Sequence, residues 1–432
     1  MRISVFGLGY VGTVTAACLA RDEHVVIGVD VNPNKVTAVS RGESPIIEPQ
    51  VSELLAAGVA AGRLSATQDA SEAVRRTEVS LISVGTPPTA AGNPDLDFVL
   101  HVCREIAEAV REKGTRHVVI LRSTVPPGTL SHCRTIMSAI AAPTEIDVAF
   151  NPEFLREGSA VADYDNPPYT IIGTSDLMAE NAVREMYSAI PGPVIVVAPE
   201  VAEMTKYISN SWHAVKISFA NEMGRIAKSF GVDGRDAMKL MAMDTKLNIS
   251  AAYLRPGFAY GGSCLPKDVS ALNAIARNRQ IPVPLLNSLP VSNAVQVDLA
   301  VAEIMRNGPT RIAVLGLAFK PDTDDLRESA AVSLVKRLLG EGCTIRIYDR
   351  DVHRSRLIGT NLEYIRASLP HFESLLTESV DAAIDGVETV VITYSTAEFH
   401  DAIVRQSNLR VIDLAGAFTE APVAVEYCGS GW

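Results

Sequence analysis

Short apolar runs alternate with amphipathic segments along the first half of the chain. The apolar runs have the length of β-strands and cover residues 2–6, 25–29, 79–84, 117–121 and 147–150. Helix-like stretches separate them. Strands that alternate with helices form parallel sheets of βαβ units. The pattern therefore predicts a doubly wound α/β domain.

A long amphipathic segment follows, beginning at Pro199-Glu200 and stopping near Gly231. Its apolar residues recur every three or four positions, which predicts one face of an α-helix. They are Val201, Met204, Ile208, Trp212, Val215, Phe219, Met223 and Ile226. A helix of about thirty residues is about 45 Å long at 1.5 Å per residue, which is longer than one domain face requires. We therefore expect a scaffold between domains and between subunits.

The second half of the chain returns to the same alternation. Residues 231–300 are predicted to be mainly helical, with breaks at Pro282 and Pro284. Strand-like runs then begin at Arg311 and recur at residues 344–349, 389–394 and 410–413. The predicted fold class is therefore α/β, with two Rossmann-like doubly wound parallel-sheet domains joined by the long central helix. The expected domain boundaries are 1–198, 199–300 and 301–432.

The composition is that of a globular protein and restricts its partners. Of the 432 residues, 47% are hydrophobic and 21% are charged, and the chain is long enough for two or three domains. A net charge of −11 argues against nucleic acid or an anionic membrane as a partner, and leaves room for a local basic pocket that binds a phosphorylated ligand. We expect neither a membrane span nor a signal peptide, because no apolar run is long enough and the N-terminus leads directly into a strand pattern.

Three glycines in the first predicted turn form a dinucleotide-binding fingerprint. Gly7-Leu-Gly9-Tyr-Val-Gly12 lies between a predicted strand and a predicted helix, which is the context that gives G-x-G-x-x-G its meaning. The glycines allow a tight turn and let the helix N-terminus approach a pyrophosphate. The second strand ends at Asp30, whose carboxylate would bind both ribose hydroxyls and repel a 2′-phosphate, and Val31-Asn32-Pro33 brings no arginine. We therefore predict NAD, rather than NADP, as the cofactor.

Polar turns follow the later strands, at the sheet edge where doubly wound folds bind their ligands. Thr86 and Thr124 lie in the turns after the third and fourth predicted strands. Each threonine either contacts a ligand or only caps its turn. The fifth strand leads into Asn151-Pro-Glu153-Phe-Leu-Arg156-Glu157-Gly158. Its charged residues either begin an ordinary helix or lie at the reaction site.

Polar residues lie beside the apolar face of the long helix. Lys206, Asn210 and His213 are spaced by four and three residues, so they share a helix face, and Asn221 lies further along the same helix. This face either is solvated or meets a ligand. Lone histidines are usually structural, so the sequence pattern alone does not assign a function to His213.

Six cysteines occur, at positions 18, 103, 133, 264, 343 and 428, without the spacing of a metal site or a redox pair. They fit reduced thiols in a cytoplasm, and we expect neither a disulfide framework nor a metal. Cys264 has Gly261-Gly262-Ser before it and Leu-Pro-Lys267-Asp268 after it. The glycines let a ligand come close, and a nearby ammonium raises the thiolate fraction of a cysteine. On this stretch alone, a nucleophile and a cysteine that only packs are equally good interpretations.

The predicted second sheet has a weaker ligand signal than the first. Gly316-Leu-Ala-Phe-Lys320 follows a strand but lacks the three-glycine fingerprint, so we expect no second dinucleotide there. A dense charged loop follows, ending in Leu-Arg327-Glu-Ser. Lys320 and Arg327 either are plain surface or supply the cationic pocket that the acidic chain otherwise lacks.

Taken in order, these motifs resemble those of the nucleotide-sugar 6-dehydrogenases over essentially the whole chain. The motifs are Gly7-x-Gly-x-x-Gly with Asp30, Val84-Gly-Thr86-Pro, Arg122-Ser-Thr124-Val-x-Pro-Gly, Asn151-Pro-Glu-Phe-Leu-Arg-Glu157, Ala202-Glu-Met-x-Lys206-Tyr, Gly261-Gly-Ser-Cys264-Leu-Pro-Lys-Asp268 and Gly316-Leu-x-Phe-Lys320. The resemblance is greater to members that act on GDP-mannose than to those that act on UDP-glucose. The segments responsible are residues 210–222 and 255–260, Leu265 and the terminal Trp432. One departure is Ala252-Tyr253, where that pattern has paired tyrosines.

The resemblance implies a four-electron oxidation of a sugar CH2OH to a carboxylate, with two NAD reduced in turn at one site. Cys264 would form a thiohemiacetal and then a thioester that water cleaves. Lys206, or a water held by Asp268, would be the base of the first oxidation. Lys206 and Asn210 would stabilise the oxyanion, and Glu157, Thr124 and Asp268 would position or activate water.

The resemblance also implies contacts to the two ligands. Those to NAD are Gly7, Gly9, Tyr10, Val11, Gly12, Asp30, Lys35, Thr86, Thr124, Lys267 and Arg327. Those to the nucleotide sugar are Glu157, Lys206, Asn210, His213, Asn221, Tyr253, Arg255, Phe258, Gly261 and Lys320. A homodimer with intertwined domains and a role in polysaccharide synthesis, such as that of alginate, are further implications.

Three other functions compete with oxidation of GDP-mannose. The same chemistry on a UDP-sugar would use the same motifs. A catalytically inactive nucleotide-sugar sensor would keep the fold, although the intact Cys264, Lys206 and Asp268 argue against it. A two-electron hydroxy-acid dehydrogenase would share the first domain and the long helix but would not need the cysteine loop.

Overall fold

The computed structural model describes most of the chain, in two units. Outside the description are residues 88, 90–92, 251–252, 254–255, 263–264, 309, 322, 324–325, 355–358, 371, 419, 423–425 and 430–432, together with the side chains of 267, 353–354 and 359–363. The units are Met1–Ala214 and Val215–Trp432. Among the helices described, none has the length and apolar character needed to cross a membrane.

The first unit is built on an eight-stranded sheet. Its strands are β1 Arg2–Phe6, β2 Val25–Val29, β3 Leu64–Thr67, β4 Val79–Ile82, β5 His117–Leu121, β6 Ile146–Phe150, β7 Thr170–Gly173 and β8 Val194–Val197. The order is β3-β2-β1-β4-β5-β6-β7-β8, and neighbours are parallel except β6 and β7. Every residue of β4, β5 and β6 is buried, because helices cover both faces of the sheet. The predicted parallel sheet is confirmed, with β3, β7 and β8 in addition to the predicted strands.

Helices cover both faces of this sheet with apolar side chains. They are α1 Tyr10–Arg21, α2 Pro33–Ser40, α3 Val51–Ala60, α4 Ala70–Arg76, α5 Asp97–Lys113, α6 Thr129–Ala141, α7 Ala160–Asp165 and α8 Leu177–Met186. Leu19 and Leu55 belong to one buried cluster, and Ile106 and Met137 belong to the other. The strand order reverses between β1 and β4, and doubly wound sheets bind their ligands at such a switch point.

The long helix α9 covers Pro199–Ser229, in agreement with the sequence prediction, and the division between the two units falls within it. In its first half, Ala202, Glu203 and Lys206 are buried, whereas Ile208 is 60% and Trp212 is 41% exposed. The apolar stripe seen in the sequence is therefore not the face that this half packs against its own unit.

The second unit has helices around a five-stranded sheet. The helices are α10 Gly234–Ala242, α11 Leu265–Asn278, α12 Pro284–Ile304, α13 Ala330–Gly340, α14 Arg350–Arg354, α15 Gly359–Ser368, α16 Val380–Ile384 and α17 Ala397–Val404. The strands are β9 Arg311–Leu315, β10 Thr344–Tyr348, β11 Thr389–Ile392, β12 Arg410–Asp413 and β13 Glu426–Gly429. All neighbours are parallel in the order β10-β9-β11-β12-β13. The second Rossmann-like sheet is thus present, and β13 is an additional strand.

Candidate active site

The glycine turn after β1 has the shape of a dinucleotide cradle. Gly7 has a φ of +93° and donates its N–H to Val29 O at 2.7 Å. A Cβ on Gly12 would lie 1.8 Å from Gly7 O, so the turn and α1 can pack this closely only with glycine there. A Cβ on Gly9 would meet nothing within 4 Å. The turn is closed at Gly12 and open at Gly9, which fits a pyrophosphate at the N-terminus of α1.

Asp30 lies where β2 ends, next to this turn. Its carboxylate accepts the N–H of Leu8 at 2.7 Å and that of Asn32 at 2.8 Å. Lys35 lies 3.4 Å from the same carboxylate, so two residues predicted to contact NAD form an ion pair. Tyr10 and Val11, which are also predicted contacts, begin α1 and are partly buried.

The turns after β4 and β5 are hydrogen-bonded to each other. Thr86 Oγ1 donates to Thr124 O at 2.9 Å, and Ser123 Oγ donates to Val84 O at 2.7 Å. The two threonines singled out in the sequence therefore lie together at the carboxyl edge of the first sheet. The bond from Thr86 uses its hydroxyl hydrogen but leaves both side chains partly exposed.

A buried ion pair joins α9 to the loop after β6. Lys206 Nζ lies 2.9 Å from Glu153 Oε1, with side-chain exposures of 8% and 12%. The same ammonium is 5.4 Å from the centre of the Phe154 ring. Sequence reasoning selected Glu157 from this loop, but Glu157 is exposed and Glu153 is the partner of the lysine.

Glu203 attaches the same helix to the loop that carries Thr124. It is fully buried, and it accepts the N–H of Gly128 at 2.6 Å and that of Leu130 at 2.8 Å, where α6 begins. Burial raises the pKa of Glu203 above its ordinary value, although the backbone hydrogen bonds act against this shift. Sequence analysis missed this role because the bonded residues are 73 and 75 positions away.

A cavity of about 420 Å³ opens beside the Lys206–Glu153 pair. Glu153, Phe154 and His213 line it, so the cavity brings the predicted His213 to the loop after β6. Deeper in the wall, buried Arg122 donates to Asn151 Oδ1 at 2.7 Å and to the hydroxyl of Tyr187 at 2.5 Å. Asn210 is exposed on α9, about one turn from Lys206 and from His213.

The second unit contains a separate cavity of about 340 Å³ at the carboxyl ends of β9, β11 and β12. Phe258, Gly261 and Lys320, three residues predicted to bind the nucleotide sugar, all line it. Phe319 and Tyr394 add aromatic surface, and the Lys320 ammonium is 5.3 Å from the Phe319 ring centre. Aromatic rings beside a cation suit a base and a phosphate.

The second sheet repeats the acid at the end of its second strand but uses it differently. Asp349, after β10, accepts the N–H groups of Leu317 at 2.8 Å, Ala318 at 2.9 Å and Val352 at 3.0 Å. It is completely buried, whereas Asp30 is partly exposed. A carboxylate engaged in this way is unsuited to a ribose, which supports the prediction that this sheet binds no second dinucleotide.

The remaining predicted site residues are placed by the structure or lie outside its description. Asp268 is exposed in α11, which also contains Lys267. Asn221 and Tyr253 are exposed, and Arg327 is partly exposed in the turn before α13. Other predictions fall outside the described part: Cys264, Arg255, the departure at Ala252 and the side chain of Lys267.

Comparison with protein-family profiles assigns the chain in three consecutive parts. Residues 1–191 match the NAD binding domain of the UDP-glucose/GDP-mannose dehydrogenase family, residues 200–295 its central domain, and residues 313–420 its UDP binding domain. The chain belongs to this family. The predicted resemblance to nucleotide-sugar dehydrogenases is therefore confirmed, and NAD is the cofactor that the family's first domain binds.

Relatives within the family cover nearly the whole chain. The GDP-mannose 6-dehydrogenase of Pseudomonas syringae pathovar tomato is 45% identical over 98% of this chain and 97% of its own length. That of Pseudomonas aeruginosa is 46% identical over 96% and 97%. The UDP-glucose 6-dehydrogenase of Bacillus subtilis is 35% identical over 92% and 88%.

Solved structures of family members give the same ranking. A ternary complex of the GDP-mannose dehydrogenase from Pseudomonas aeruginosa matches with a TM-score of 0.96 and 44% identity, over 100% of both chains. A UDP-glucose dehydrogenase from Pyrobaculum islandicum matches with a TM-score of 0.56 and 35% identity, over 100% of this chain and 97% of its own. Both fold and sequence are thus more similar to the GDP-mannose member of this pair.

Proposed function

We propose that the chain oxidises C6 of GDP-mannose to the carboxylate of GDP-mannuronate, reducing two NAD. The full-length similarity to GDP-mannose dehydrogenases, at a TM-score of 0.96, carries the choice of substrate. The buried Lys206–Glu153 pair supports the choice of chemistry, because it holds an ammonium beside a cavity. Each sugar loses four electrons and takes up one oxygen atom from water.

The cofactor site is proposed at the glycine cradle, because the residues there fit a dinucleotide. Gly9 leaves open space at the N-terminus of α1, and the carboxylate of Asp30, with 9% of its side chain exposed, lies next to that turn. Bound NAD supplies a hydride acceptor. Around it, we assign Lys35, Thr86 and Thr124 to orienting the cofactor and closing the sheet edge above it.

Cys264 is the proposed nucleophile of the second oxidation. Its thiolate adds to the aldehyde carbon, and the resulting thiohemiacetal oxygen takes a proton. Loss of hydride and of that proton leaves a thioester, and water then breaks the C–S bond and returns the thiol. Because the aldehyde stays attached to the protein, it cannot escape between the two oxidations.

Lys206 and Asn210 are proposed to stabilise the oxyanion that develops at C6, and His213 to bind the nucleotide sugar beside them. The ammonium of Lys206 is already buried and fixed, so it can act without first losing its water shell. The base of the first oxidation is Lys206 or a water held by Asp268. Glu157, Thr124 and Asp268 are assigned to the water that cleaves the thioester.

The nucleotide end of the substrate is proposed to bind in the cavity of the second unit. Phe258 and Phe319 offer ring faces for a base, and Lys320 offers a charge for the diphosphate. Gly261 lets the loop pack closely against the backbone before α13, since a Cβ there would lie 2.5 Å from Glu328 O. Further contacts are proposed for Asn221, Tyr253, Arg255, Lys267 and Arg327.

A homodimer is the proposed assembly. Val201, Ile208 and Trp212 form an exposed apolar stripe on α9, and stripes of this kind usually contact another protein surface. A second copy of the chain offers the same stripe, as a two-fold interface requires. We further propose that the enzyme works in the cytoplasm, where free thiols such as Cys428 stay reduced, and that its product feeds a polysaccharide such as alginate.

A substrate panel with NADH stoichiometry tests the proposed function. GDP-mannose should give two NADH per sugar and a higher kcat/KM than UDP-glucose. Cys264→Ala should abolish the uronate product, whereas Cys428→Ala, the same change at a partly exposed cysteine outside the proposed site, should leave turnover unchanged. One NADH per sugar with release of free aldehyde would contradict the mechanism, and a preference for UDP-glucose would contradict the substrate.

A further inference from the structure

Glu48 is a buried acid that connects the cofactor-binding helix to the loop after β6. Its carboxylate accepts the N–H of Gly158 at 2.7 Å through one oxygen and that of Ala160 at 2.8 Å through the other. The hydroxyl of Tyr10 donates a third hydrogen bond to it. We call the contacts of Glu48 with Tyr10, Gly158 and Ala160 the bridge. Glu48 is 7% exposed, so water does not replace these bonds readily.

The protonation states suit this arrangement. Burial alone would raise the pKa of Glu48, but the hydrogen bonds from Tyr10, Gly158 and Ala160 lower it below its ordinary value. Burial and the bond to Glu48 raise the pKa of Tyr10 to about 12. At neutral pH the acid is therefore ionised and accepts three hydrogen bonds, and the tyrosine keeps the proton that it donates.

One end of the bridge lies beside Glu157. The residues before and after Glu157 in the sequence are both fixed by hydrogen bonds. On one side, Arg156 is bound to Asp163 through its N–H at 2.9 Å and through its guanidinium. On the other side, the N–H of Gly158 is bound to Glu48. The Arg156–Asp163 link is largely exposed on the arginine, whereas the Glu48 link is buried. Buried bonds resist local opening better, so the Glu48 link sets where Glu157 can lie.

The other end of the bridge lies in the glycine fingerprint. Tyr10 follows Gly9 directly and is the first residue of α1. The hydroxyl of Tyr10 also accepts from the N–H of Gly158 at 3.3 Å. The loop that carries Glu157 is thereby fixed relative to the helix that is proposed to bind the pyrophosphate.

We propose that Glu48 is a positioning residue that holds Glu157 at a fixed place relative to helix α1, and thereby supports cleavage of the thioester. This inference rests on the role proposed above for Glu157. Glu48 itself contacts neither ligand: it acts through the backbone of the 157–160 segment. Its effect should therefore appear in the hydrolytic step and in the order of that segment.

Glu48→Gln tests the inference with little change in shape. An amide has one acceptor oxygen, so it can keep the bond to Gly158 or to Ala160 but places its NH2 against the other N–H. Hydrogen–deuterium exchange of the amides of residues 157–160 should become at least about tenfold faster. Glu43→Gln, an exposed acid in the same segment, is the matched control and should leave exchange unchanged. Unchanged exchange in Glu48→Gln would overturn the inference, whether or not the proposed chemistry holds.

A double-mutant cycle tests whether Glu48 supports thioester cleavage through Glu157. Glu48→Gln should lower kcat about tenfold or more, and mass spectrometry should find the Cys264 thioester accumulating. In a Glu157→Gln background the same change should have less than about a twofold further effect, because the group that it positions is already absent. A full, additive loss in that background would mean a general structural role and would overturn the proposal.

The two proposals fail in different ways. If Glu157→Gln accumulates no Cys264 adduct, the role proposed for Glu157 is wrong, and the exchange result still decides whether Glu48 orders the segment. If Glu48→Gln does not fold, Tyr10→Phe removes one donor and keeps both backbone bonds. That variant should speed exchange of the Gly158 amide to a smaller extent, and no change there would contradict the bridge.

Discussion

The ammonium of Lys206 lies 2.9 Å from the carboxylate of Glu153, and both side chains are almost fully buried. Because little of either side chain is exposed to water, each charge relies mainly on the other. The pair connects the first half of α9 to the loop after β6, so it fixes both the proposed oxyanion-binding group and the wall of the adjacent cavity.

Glu153→Gln should therefore be costly. It leaves the buried ammonium of Lys206 without its counter-charge, and breaking a buried pair in this way costs about 3–5 kcal/mol. The free energy of unfolding, measured in urea, should fall by that amount. Glu72→Gln removes the partner of Arg76 in an exposed pair with the same 2.9 Å separation, and should cost at most about 1 kcal/mol. Equal losses in the two variants would show that the Lys206–Glu153 pair is not effectively buried.

Two glycines of the fingerprint should respond in opposite ways to the same methyl group. Gly12→Ala places a Cβ 1.8 Å from Gly7 O, so the turn must move, and we expect stability to fall by about 3 kcal/mol or more even without NAD. Gly9→Ala meets open space, so stability should change by less than about 0.5 kcal/mol. The Gly9 methyl group instead enters the proposed path of the pyrophosphate, and the Kd for NAD should rise at least about tenfold. Thermal unfolding and NAD titration separate the two effects, and unchanged NAD affinity in Gly9→Ala would place the dinucleotide elsewhere.

Asp30 and Asp349 form a matched pair for testing cofactor recognition. Asp30→Ala removes the acceptor for Leu8 and Asn32 and the proposed ribose ligand, so both stability and NAD affinity should fall. Asp349→Ala removes a similar set of backbone bonds in the second unit, and should lower stability without changing the Kd for NAD. Calorimetric titration of both variants with NAD checks this. A weakened NAD complex in Asp349→Ala would indicate a second dinucleotide site.

His117 should make the stability depend on pH. It is buried, with Nε2 2.8 Å from Ser80 Oγ and Nδ1 3.4 Å from the ammonium of Lys113. Burial and that ammonium lower the pKa of His117 to about 3. An unfolded histidine titrates near pH 6.5, so below this pH the unfolded chain takes up a proton that the folded chain does not. The free energy of unfolding should thus fall as the pH drops from about 6.5 towards 3, by about 1.4 kcal/mol at pH 5.5 from this group alone.

Urea unfolding at pH 7.5 and pH 5.5 measures this contribution. His117→Gln cannot take up the proton, so its loss of stability between the two pH values should be smaller by about 1.4 kcal/mol. His101→Gln is the control, since His101 is exposed and its side chain is 65% accessible. The same pH dependence in wild type and His117→Gln would show that the pKa of His117 is not lowered in the folded protein.

Much of the fold could be predicted from the sequence because its periodicities are regular. Helix α9 begins at Pro199 as expected, and β1, β2 and β5 have the predicted bounds. The short strands β3 and β7 were missed because four residues give too little pattern to separate a strand from a turn. The sequence also could not show that the apolar face of α9 is exposed in its first half. The spacing of apolar residues reveals such a face, but not which surface covers it.

The candidate site could be predicted where chemistry follows a motif, and not where it depends on distant partners. Thr86 with Thr124, and Phe258 with Lys320, were singled out and lie together. Glu48 was not, because the backbone groups that it binds are 110 and 112 residues away. In the sequence, such an acid looks like any surface glutamate.

The acid at the end of the second strand holds the first turn in both sheets. Asp30 and Asp349 both accept N–H groups from the turn after the first strand of their sheet, at Leu8 and at Leu317. The second sheet keeps this link although it lacks the three glycines. The turn therefore owes its shape to a hydrogen bond within the protein rather than to a bound phosphate. A turn held in this way does not need a bound dinucleotide in order to form, and the first unit should likewise reach its structure before NAD binds.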